Sequence, residues 1–379
     1  MPNSKCEQCN GKVKAYNQPS YRHQVFELPK QDFDITEYQV YHGKCSCCEA
    51  VTKGKIPATA SATQMGPNLL SYISILTGQY HLSVRKVQSL LQSQFGNTFS
   101  IGAISEAQGR VSNMLTPTHQ ALHHAIKKAP IVHVDETTHH RNNQAQTLWV
   151  WLASADDIVF QKIMSSRRQE CAQYILGKKF NGIAVTDQCG SYNWIDKNKH
   201  QFCWAHIIRD LQKMADYSGK GLTANIGEKL VLICKIIFRV QHRYQNKELS
   251  KNQYHKRMQR LRKSFNALLF KGKTVPCKRY AGRCAFISKY ETSLWVFLSN
   301  PDIPLTNNEA ERCIRGSVIL RKNSYGTSSE RGEQFRSRVL SVVETCKKRK
   351  ISALEVISSI VGAVIRREPY PDVFNLLKT

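Results

Sequence analysis

IVHVD at residues 131–135 and GIAVTD at residues 182–187 are two apolar runs that each end in an aspartate, and they indicate the fold class. Short runs rich in branched residues predict buried β-strands. TLWVWLA at 147–153 and IVFQKI at 158–163 predict a hairpin between them, and residues 167–176 follow with a helical pattern. The order β-β-β-α-β predicts an α/β fold built on a mixed sheet.

Asp135 and Asp187 are predicted at the carboxyl ends of their strands, where mixed α/β sheets often place their sites. Carboxylates delivered to one point suit a pair of Mg²⁺ ions about 3.5–4 Å apart, the arrangement that cleaves phosphodiester bonds. Mg²⁺ takes oxygen ligands and keeps several waters, so two or three carboxylates suffice. A third acid would have to come from later in the chain.

The stretch PLTNNEAERCIR at residues 304–315 offers candidates for that third acid. Its acidic first turn predicts a helix with Thr306 or Asn307 as the N-cap. Glu309 and Glu311 are two residues apart and cannot share a helix face. The residue pattern therefore leaves the choice between these two glutamates open.

The first 57 residues carry five of the thirteen cysteines, and these fall into two groups near the ends of the segment. Paired thiolates at two-residue spacing suit tetrahedral Zn²⁺, with each pair on a tight turn. Two short strands are predicted between the pairs, at 21–28 and 37–42. A segment this small needs such a metal to fold. The candidate ligands, with one alternative in the second pair, are Cys6, Cys9, Cys45 and Cys48, or Cys47.

Residues 58–126 begin with a linker and continue with three helical patterns. Ser83 and Ser100 are predicted N-caps of the second and third helices, which a glycine-containing turn separates. Helix, turn and helix in this order are typical of a helix-turn-helix, whose second helix enters the major groove. The predicted helices are Asn68–Leu76, Ser83–Gln94 and Ser100–Leu115.

The charge balance predicts a polyanionic partner. Fifty-five Lys and Arg against 28 Asp and Glu give a net charge of +27, which favours nucleic acid. Residues 205–300 form a long helical stretch with 20 Lys and Arg against 5 Asp and Glu, a net charge of +15. Two further arginines beside the candidate glutamates are placed to hold a phosphate. The candidate DNA contacts are Arg257, Arg260, Lys263, Arg312 and Arg315.

The chain has no apolar run of the length that spans a bilayer, about 18 residues. The first residues, MPNSKCEQCNGK, lack the apolar core of a signal peptide. We therefore expect a cytoplasmic, nucleoid-associated protein without a membrane partner.

Four ordered motifs carry a family resemblance: HVDET at 133–137, TDQCGSY at 186–192, CWAH at 203–206 and LTNNEAER at 305–312. With them the chain resembles transposases of the insertion sequence 66 type, which are DDE transposases with a ribonuclease-H-like core. The resemblance extends from Cys6 to about Lys348.

The resemblance implies specific roles and boundaries. Asp135, Asp187 and Glu311 would be the catalytic triad and would bind Mg²⁺ or Mn²⁺, while the N-terminal cysteines would bind Zn²⁺. Cys203 and His206 are expected to be structural or near the active site. A role as metal ligands is the weaker alternative. The implied domains are a zinc-binding domain at 1–57, a helical region at 58–126, a catalytic core at 127–348 with the insertion 205–300, and a helical tail at 349–379.

The implied function is metal-dependent strand cleavage and strand transfer at the ends of a bacterial insertion sequence. The implied partners are double-stranded DNA at element ends and target, further copies of the chain when two ends are synapsed, and helper proteins from the same element. Two alternatives remain open: an inactive or domesticated DNA-binding protein, and a nuclease of the same fold.

Overall fold

The structure is a computed structural model that describes residues 4–376 with the exception of 15, 20, 30, 143 and 301. Within those residues the chain forms a two-stranded ladder, a five-stranded mixed sheet and a series of α-helices. This combination confirms the predicted α/β class.

The N-terminal segment contains one short antiparallel ladder, formed by β1 (His42–Lys44) and β2 (Val51–Lys53). The predicted strands at 21–28 and 37–42 are wrong, because the described residues there have no strand pairing before His42. Their apolar side chains are exposed, Phe26 by 89% and Leu28 by 88%. A strand without a packed face or a partner is not stable in water.

Four helices follow: α1 (Pro67–Gly78), α2 (Val84–Phe95), α3 (Ile101–Met114) and α4 (Thr116–Lys128). Ser83 and Ser100 are the N-caps of α2 and α3, since their hydroxyls accept hydrogen bonds from the backbone N–H groups of Lys86 and Ala103. Gly96 ends α2 with a φ of 68°, a conformation that favours glycine. All three predicted helices are confirmed.

The strands of the central sheet are β3 (Ile131–His139), β4 (Leu148–Ala155), β5 (Ile158–Met164), β6 (Ile183–Thr186) and β7 (His200–Phe202). They lie in the order β5-β4-β3-β6-β7, with antiparallel pairing among the first three and parallel pairing for the last two. Helix α5 (Gln169–Leu176) connects β5 to β6. Strand β7 was not predicted, because three residues are too few for a readable pattern.

The prediction that Asp135 ends its strand is wrong. Strand β3 pairs with β6 only as far as His133, whereas its pairing with β4 continues to the His139–Leu148 pair. Asp135 therefore lies in the middle of β3, just past the end of the parallel ladder. Asp187, in contrast, directly follows the last residue of β6, as predicted.

The stretch from 205 to 300 is helical, as predicted, and forms α6 (Trp204–Ala215), α7 (Gly221–Gln245), α8 (Lys251–Gly272), α9 (Lys278–Lys289) and α10 (Glu291–Leu294). Tyr254, Met258 and Phe265 on α8 are buried in the core that these helices share. Their spacing by four and seven residues places them on one helix face. The basic residues of α8 are left on the other faces.

The last helices are α11 (Asn308–Ser324), α12 (Glu330–Arg349), α13 (Ala353–Arg366) and α14 (Val373–Leu376). Helices α12 and α13 share one hydrophobic core with α1, α2 and α3. Helix α12 also covers the edge strand β5, and α11 packs on β3 and β4. No helix in the described residues has the length and apolar character needed to cross a bilayer.

Candidate active site

The three predicted acids come from three different elements. Asp135 lies on β3, Asp187 follows β6, and Glu311 lies in the first turn of α11. Burial is the main cause that raises the pKa of Asp135 to about 7, and the negative charges of Glu136, Asp187 and Glu311 contribute to that value. Like charges have this effect only at short range. The structure thus brings Asp135, Asp187 and Glu311 together.

A network around Asp187 was not predicted from the sequence. The guanidinium of Arg167 donates to Glu136 Oε1 at 2.7 Å and lies 3.4 Å from Asp187 Oδ2. The Tyr192 hydroxyl donates to the other oxygen of Glu136, and Trp149 lies under the guanidinium with 5.0 Å to the ring centroid. Burial and the charge of Asp187 raise the pKa of Glu136, against the effect of Tyr192 and Arg167.

This network fixes the position of Asp187 from both of its oxygens. Asp187 Oδ1 accepts a hydrogen bond from the backbone N–H of Cys189 at 2.8 Å, and Oδ2 faces Arg167. Glu136, Asp187 and Cys189 also form a group in which one ligand atom of each lies within 4.8 Å of the others. In the sequence Glu136 directly follows Asp135, but no local pattern connects Glu136 to Arg167.

Asn307 connects the start of α11 to β3 and to the start of α6. This residue is buried and is the N-cap of α11, but its side chain does not cap the helix. Its Nδ2 donates to the backbone carbonyl of Val134 at 2.8 Å, and its Oδ1 lies 3.0 Å from His133 Nδ1. Its backbone N–H donates to Cys203 Sγ at 3.2 Å. The start of α11 is therefore attached both to the strand that carries Asp135 and to the start of α6.

The two candidate glutamates of α11 have different environments. Glu309 accepts hydrogen bonds from Ser154 Oγ at 2.6 Å and from Lys348 Nζ at 2.5 Å. Although burial opposes the effect, these two bonds lower the pKa of Glu309. Glu309 thus forms an ion pair with Lys348 on α12, whereas Glu311 lies close enough to Asp135 for its charge to raise the pKa of Asp135.

Cys203 and His206, which the sequence left without a clear role, both lie beside Glu311. Cys203 is the N-cap of α6 and is buried, and burial raises the pKa of its thiol. His206 Nδ1 lies 3.7 Å from Glu311 Oε1. Cys203, His206 and Glu311 form a second group with one ligand atom of each within 4.8 Å.

Two of the histidines around Asp135 are structural. His133 lies within the predicted strand and is buried, and His139 is buried because β3 continues past Asp135. His139 Nε2 lies 3.1 Å from Thr327 Oγ1, and burial lowers the pKa of His139 to about 4.

The candidate DNA contacts are exposed. Arg312 and Arg315 lie on α11 next to the acids, and Arg257, Arg260 and Lys263 lie on α8. The neighbouring Arg262 is different, because it forms an ion pair with Glu291 at 2.6 Å.

The N-terminal cysteines lie on two turns with the same hydrogen bonds. Cys6 N–H donates to Gly11 O and receives Asn10 N–H on its carbonyl, and Cys45 has the same bonds with Ala50 and Glu49. Backbone N–H groups at Gln8 and Cys9 lower the pKa of Cys6, and those at Cys48 and Cys47 lower the pKa of Cys45. The side chain that bonds Cys45 is that of Cys48. In the described residues no three of these cysteines form one group of close ligand atoms.

Comparison with known proteins identifies relatives of this chain. The family model described as "Transposase IS66 family" matches residues 62–335, which include all three acids, Cys203 and His206. Two proteins of Sinorhizobium fredii, "Uncharacterized protein y4qI" and "Uncharacterized protein y4hP", are each 22% identical to it. The similarity covers 95% and 99% of this chain and 68% and 73% of those proteins.

Proposed function

The chain belongs to the IS66 family of transposases, and from this premise we propose that it cleaves and joins DNA strands at the ends of an insertion sequence. The observation that carries this proposal is that Asp187 and Glu311 lie close enough to Asp135 for their charges to act on it. Burial, together with these charges and that of Glu136, raises the pKa of Asp135 to about 7. A carboxyl held close to other carboxyls is stabilised when a cation replaces its proton.

The donors present fit divalent cations. A set of carboxylate oxygens suits Mg²⁺ or Mn²⁺, and the partial exposure of Asp187 and Glu311, 22% and 37%, leaves space for waters and DNA. When bound, two such ions supply Lewis acidity at the scissile phosphate and activate a water or a DNA 3′-hydroxyl. Asp135, Asp187 and Glu311 are the residues proposed to hold them.

The other residues of the site orient these acids. Arg167 and Cys189 hold the two oxygens of Asp187, and Tyr192 keeps Glu136 in place behind Arg167. Asn307 holds the start of α11, the helix that carries Glu311, against β3, the strand that carries Asp135. Arg312 and Arg315 are exposed on the same helix, and we propose that they bind DNA phosphates.

The remaining assignments extend the same proposal. A ribonuclease-H-like core is supported by the mixed sheet with its adjacent acid-bearing strands β3 and β6. Zinc binding by Cys6, Cys9, Cys45 and Cys48 is supported by the matching turns, which present backbone N–H groups to the first sulfur of each pair. Synapsis by several copies of the chain, helper proteins and association with the nucleoid remain predictions.

A strand-joining assay tests the proposal. Purified chain, Mg²⁺ and DNA that carries the ends of its own element should yield joined product. Asp187→Asn and Glu311→Gln should each lower joining more than about a hundredfold, because several kcal/mol of transition-state stabilisation depends on the ions they hold. Glu309→Gln is the matched control on the same helix turn and should keep joining within about tenfold, with some loss of stability from the broken Lys348 pair.

The same assay separates the alternatives. Cut but unjoined DNA would indicate a nuclease, and bound but uncut DNA would indicate a DNA-binding protein without catalysis. If Asp187→Asn or Glu311→Gln joined DNA as well as the unaltered chain, the triad assignment would be wrong.

A further inference from the structure

Cys203, His206 and Glu311 form a cluster that the proposed strand-transfer chemistry does not fully use. Cys203 and His206 lie at the start of α6, and Glu311 lies in the first turn of α11. One ligand atom from each lies within 4.8 Å of the other two. A sulfur, an imidazole nitrogen and a carboxylate oxygen are all ligand types of Zn²⁺.

The polar atoms that face each other in this cluster lack hydrogen-bond partners. His206 Nδ1 and Glu311 Oε1 are both buried, and neither has a hydrogen-bond partner among the described residues. Their separation of 3.7 Å is too long for a hydrogen bond. Buried polar atoms in native proteins are almost always satisfied, so this pair points to a missing group between them.

The spacing suits a tetrahedral ion. Zn–N and Zn–O bonds of about 2.1 Å at the tetrahedral angle separate two ligand atoms by about 3.4 Å. The observed 3.7 Å is close to that value, so a small movement of either side chain would bring both within bonding distance.

The surroundings of Cys203 suit a sulfur ligand of a metal ion. Its side chain is buried, and its sulfur accepts the backbone N–H of Asn307 at 3.2 Å. A hydrogen bond of this kind stabilises the negative charge of a thiolate. A thiolate selects Zn²⁺ over Mg²⁺ or Ca²⁺, which take oxygen ligands.

We infer that Cys203, His206 and Glu311 bind one zinc ion, with the fourth position open to water. The site is separate from the N-terminal cysteine turns. It shares Glu311 with the proposed catalytic acids, and only in this respect does it rest on the proposed function. A carboxylate has two oxygens, so Glu311 can give Oε1 to zinc and keep its other oxygen for a catalytic ion. Zinc would then act as the group that orients Glu311.

Metal content of the full chain tests the inference. The chain and its variants are dialysed against micromolar Zn²⁺ in millimolar Mg²⁺, and bound zinc is counted per chain. Cys203→Ser and His206→Ala should each bind one zinc ion fewer than the unaltered chain. The matched controls are Cys277→Ser, at the N-cap of α9, and His255→Ala, on α8, which should lose none.

A spectroscopic measurement isolates this site from the N-terminal one. In a chain that carries serine in place of Cys6, Cys9, Cys45, Cys47 and Cys48, Co²⁺ should give a thiolate-to-metal charge-transfer band, and Cys203→Ser should remove it. Thermal unfolding of each variant shows whether it is folded. His206 is 28% exposed, so His206→Ala keeps the test valid even if Cys203→Ser does not fold.

The outcomes are distinct from those of the proposed function. Asp187→Asn should abolish joining and keep this zinc ion. If Cys203→Ser and His206→Ala bind as much zinc as the two controls, the inferred site does not exist, whatever the joining assay shows.

Discussion

At the scale of single residues, the environment of Asp135 disfavours its charged form in the folded chain. It is surrounded by Glu136, Asp187 and Glu311, and burial raises its pKa from 3.8 to about 7. A carboxyl with a raised pKa is bound to its proton in the folded state at pH values where the unfolded chain has already released it. Stability from this group is therefore present at low pH and is lost as the pH rises from about 4 to about 7.

Asp135→Asn should remove this loss of stability at higher pH, because an amide does not ionise. Without divalent cations the variant should be more stable than the unaltered chain, by an amount that grows from pH 4 to pH 7 and then levels off at roughly 2–4 kcal/mol. Urea unfolding at pH 4.5, 6 and 8 measures it. Millimolar Mg²⁺ should stabilise the unaltered chain at pH 8 and leave the variant unchanged. An equal stability difference at every pH would show that Asp135 is not the group that titrates.

At the scale of elements, the edge strand β5 is protected by α12. The hydroxyls of Ser337, Ser341 and Thr345 recur every four residues and accept the backbone N–H groups of Ile163, Gln161 and Val159 at 2.9–3.1 Å. An uncovered edge strand offers such N–H groups to other chains. Helix α12 thus supplies the hydrogen-bond acceptors that a sixth strand would supply along this edge.

Ser341→Ala should leave the N–H of Gln161 buried without its acceptor. The expected loss is about 1–3 kcal/mol of unfolding free energy, the cost of an unsatisfied buried donor. Ser359→Ala, at an exposed position on α13, is the control and should change stability by less than about 0.5 kcal/mol. Equal stabilities of the two variants in chemical denaturation would mean that the hydroxyl of Ser341 contributes nothing to the strand edge.

At the scale of the whole molecule, the net charge of +27 is unevenly distributed. The buried stripe of α8 leaves Arg257, Arg260 and Lys263 exposed, while Arg262 is paired with Glu291. Exposed cations that form no ion pair in the described residues can neutralise DNA phosphates, and this releases the counterions condensed on the DNA.

Replacing Arg257, Arg260 and Lys263 with Gln should weaken DNA binding and its salt dependence. The slope of log K against log salt should become shallower by about 2–3, or nearly one unit per lost phosphate contact. A control that removes the same charge from exposed Lys128, Lys178 and Lys179, at the other ends of β3 and β6, should keep most of the slope. If both triple variants lose equal slope, α8 has no special role in binding DNA.

Much of this organisation can be predicted from local sequence. Period-two and period-3.6 patterns identify the strands at 131, 148, 158 and 183, the caps at Ser83 and Ser100, and the buried stripe of α8. These patterns are readable because each element must bury one face, and the spacing of its apolar residues records which face. The family motifs likewise indicate Asp135, Asp187 and Glu311.

Other features depend on partners far away in the chain. Strand β3 extends past Asp135 because β4 continues to pair with it, and His139 becomes buried for the same reason. Asn307 bridges to Val134, Arg167 pairs with Glu136, and Glu311 meets His206 over sequence separations that no local pattern records. Hydrogen bonds and ion pairs depend on distances between side chains, and only the folded chain brings those distances within a few ångströms. The sequence thus predicts which acids form the site, while their hydrogen-bond partners and the position of Cys203 and His206 beside Glu311 depend on the folded protein.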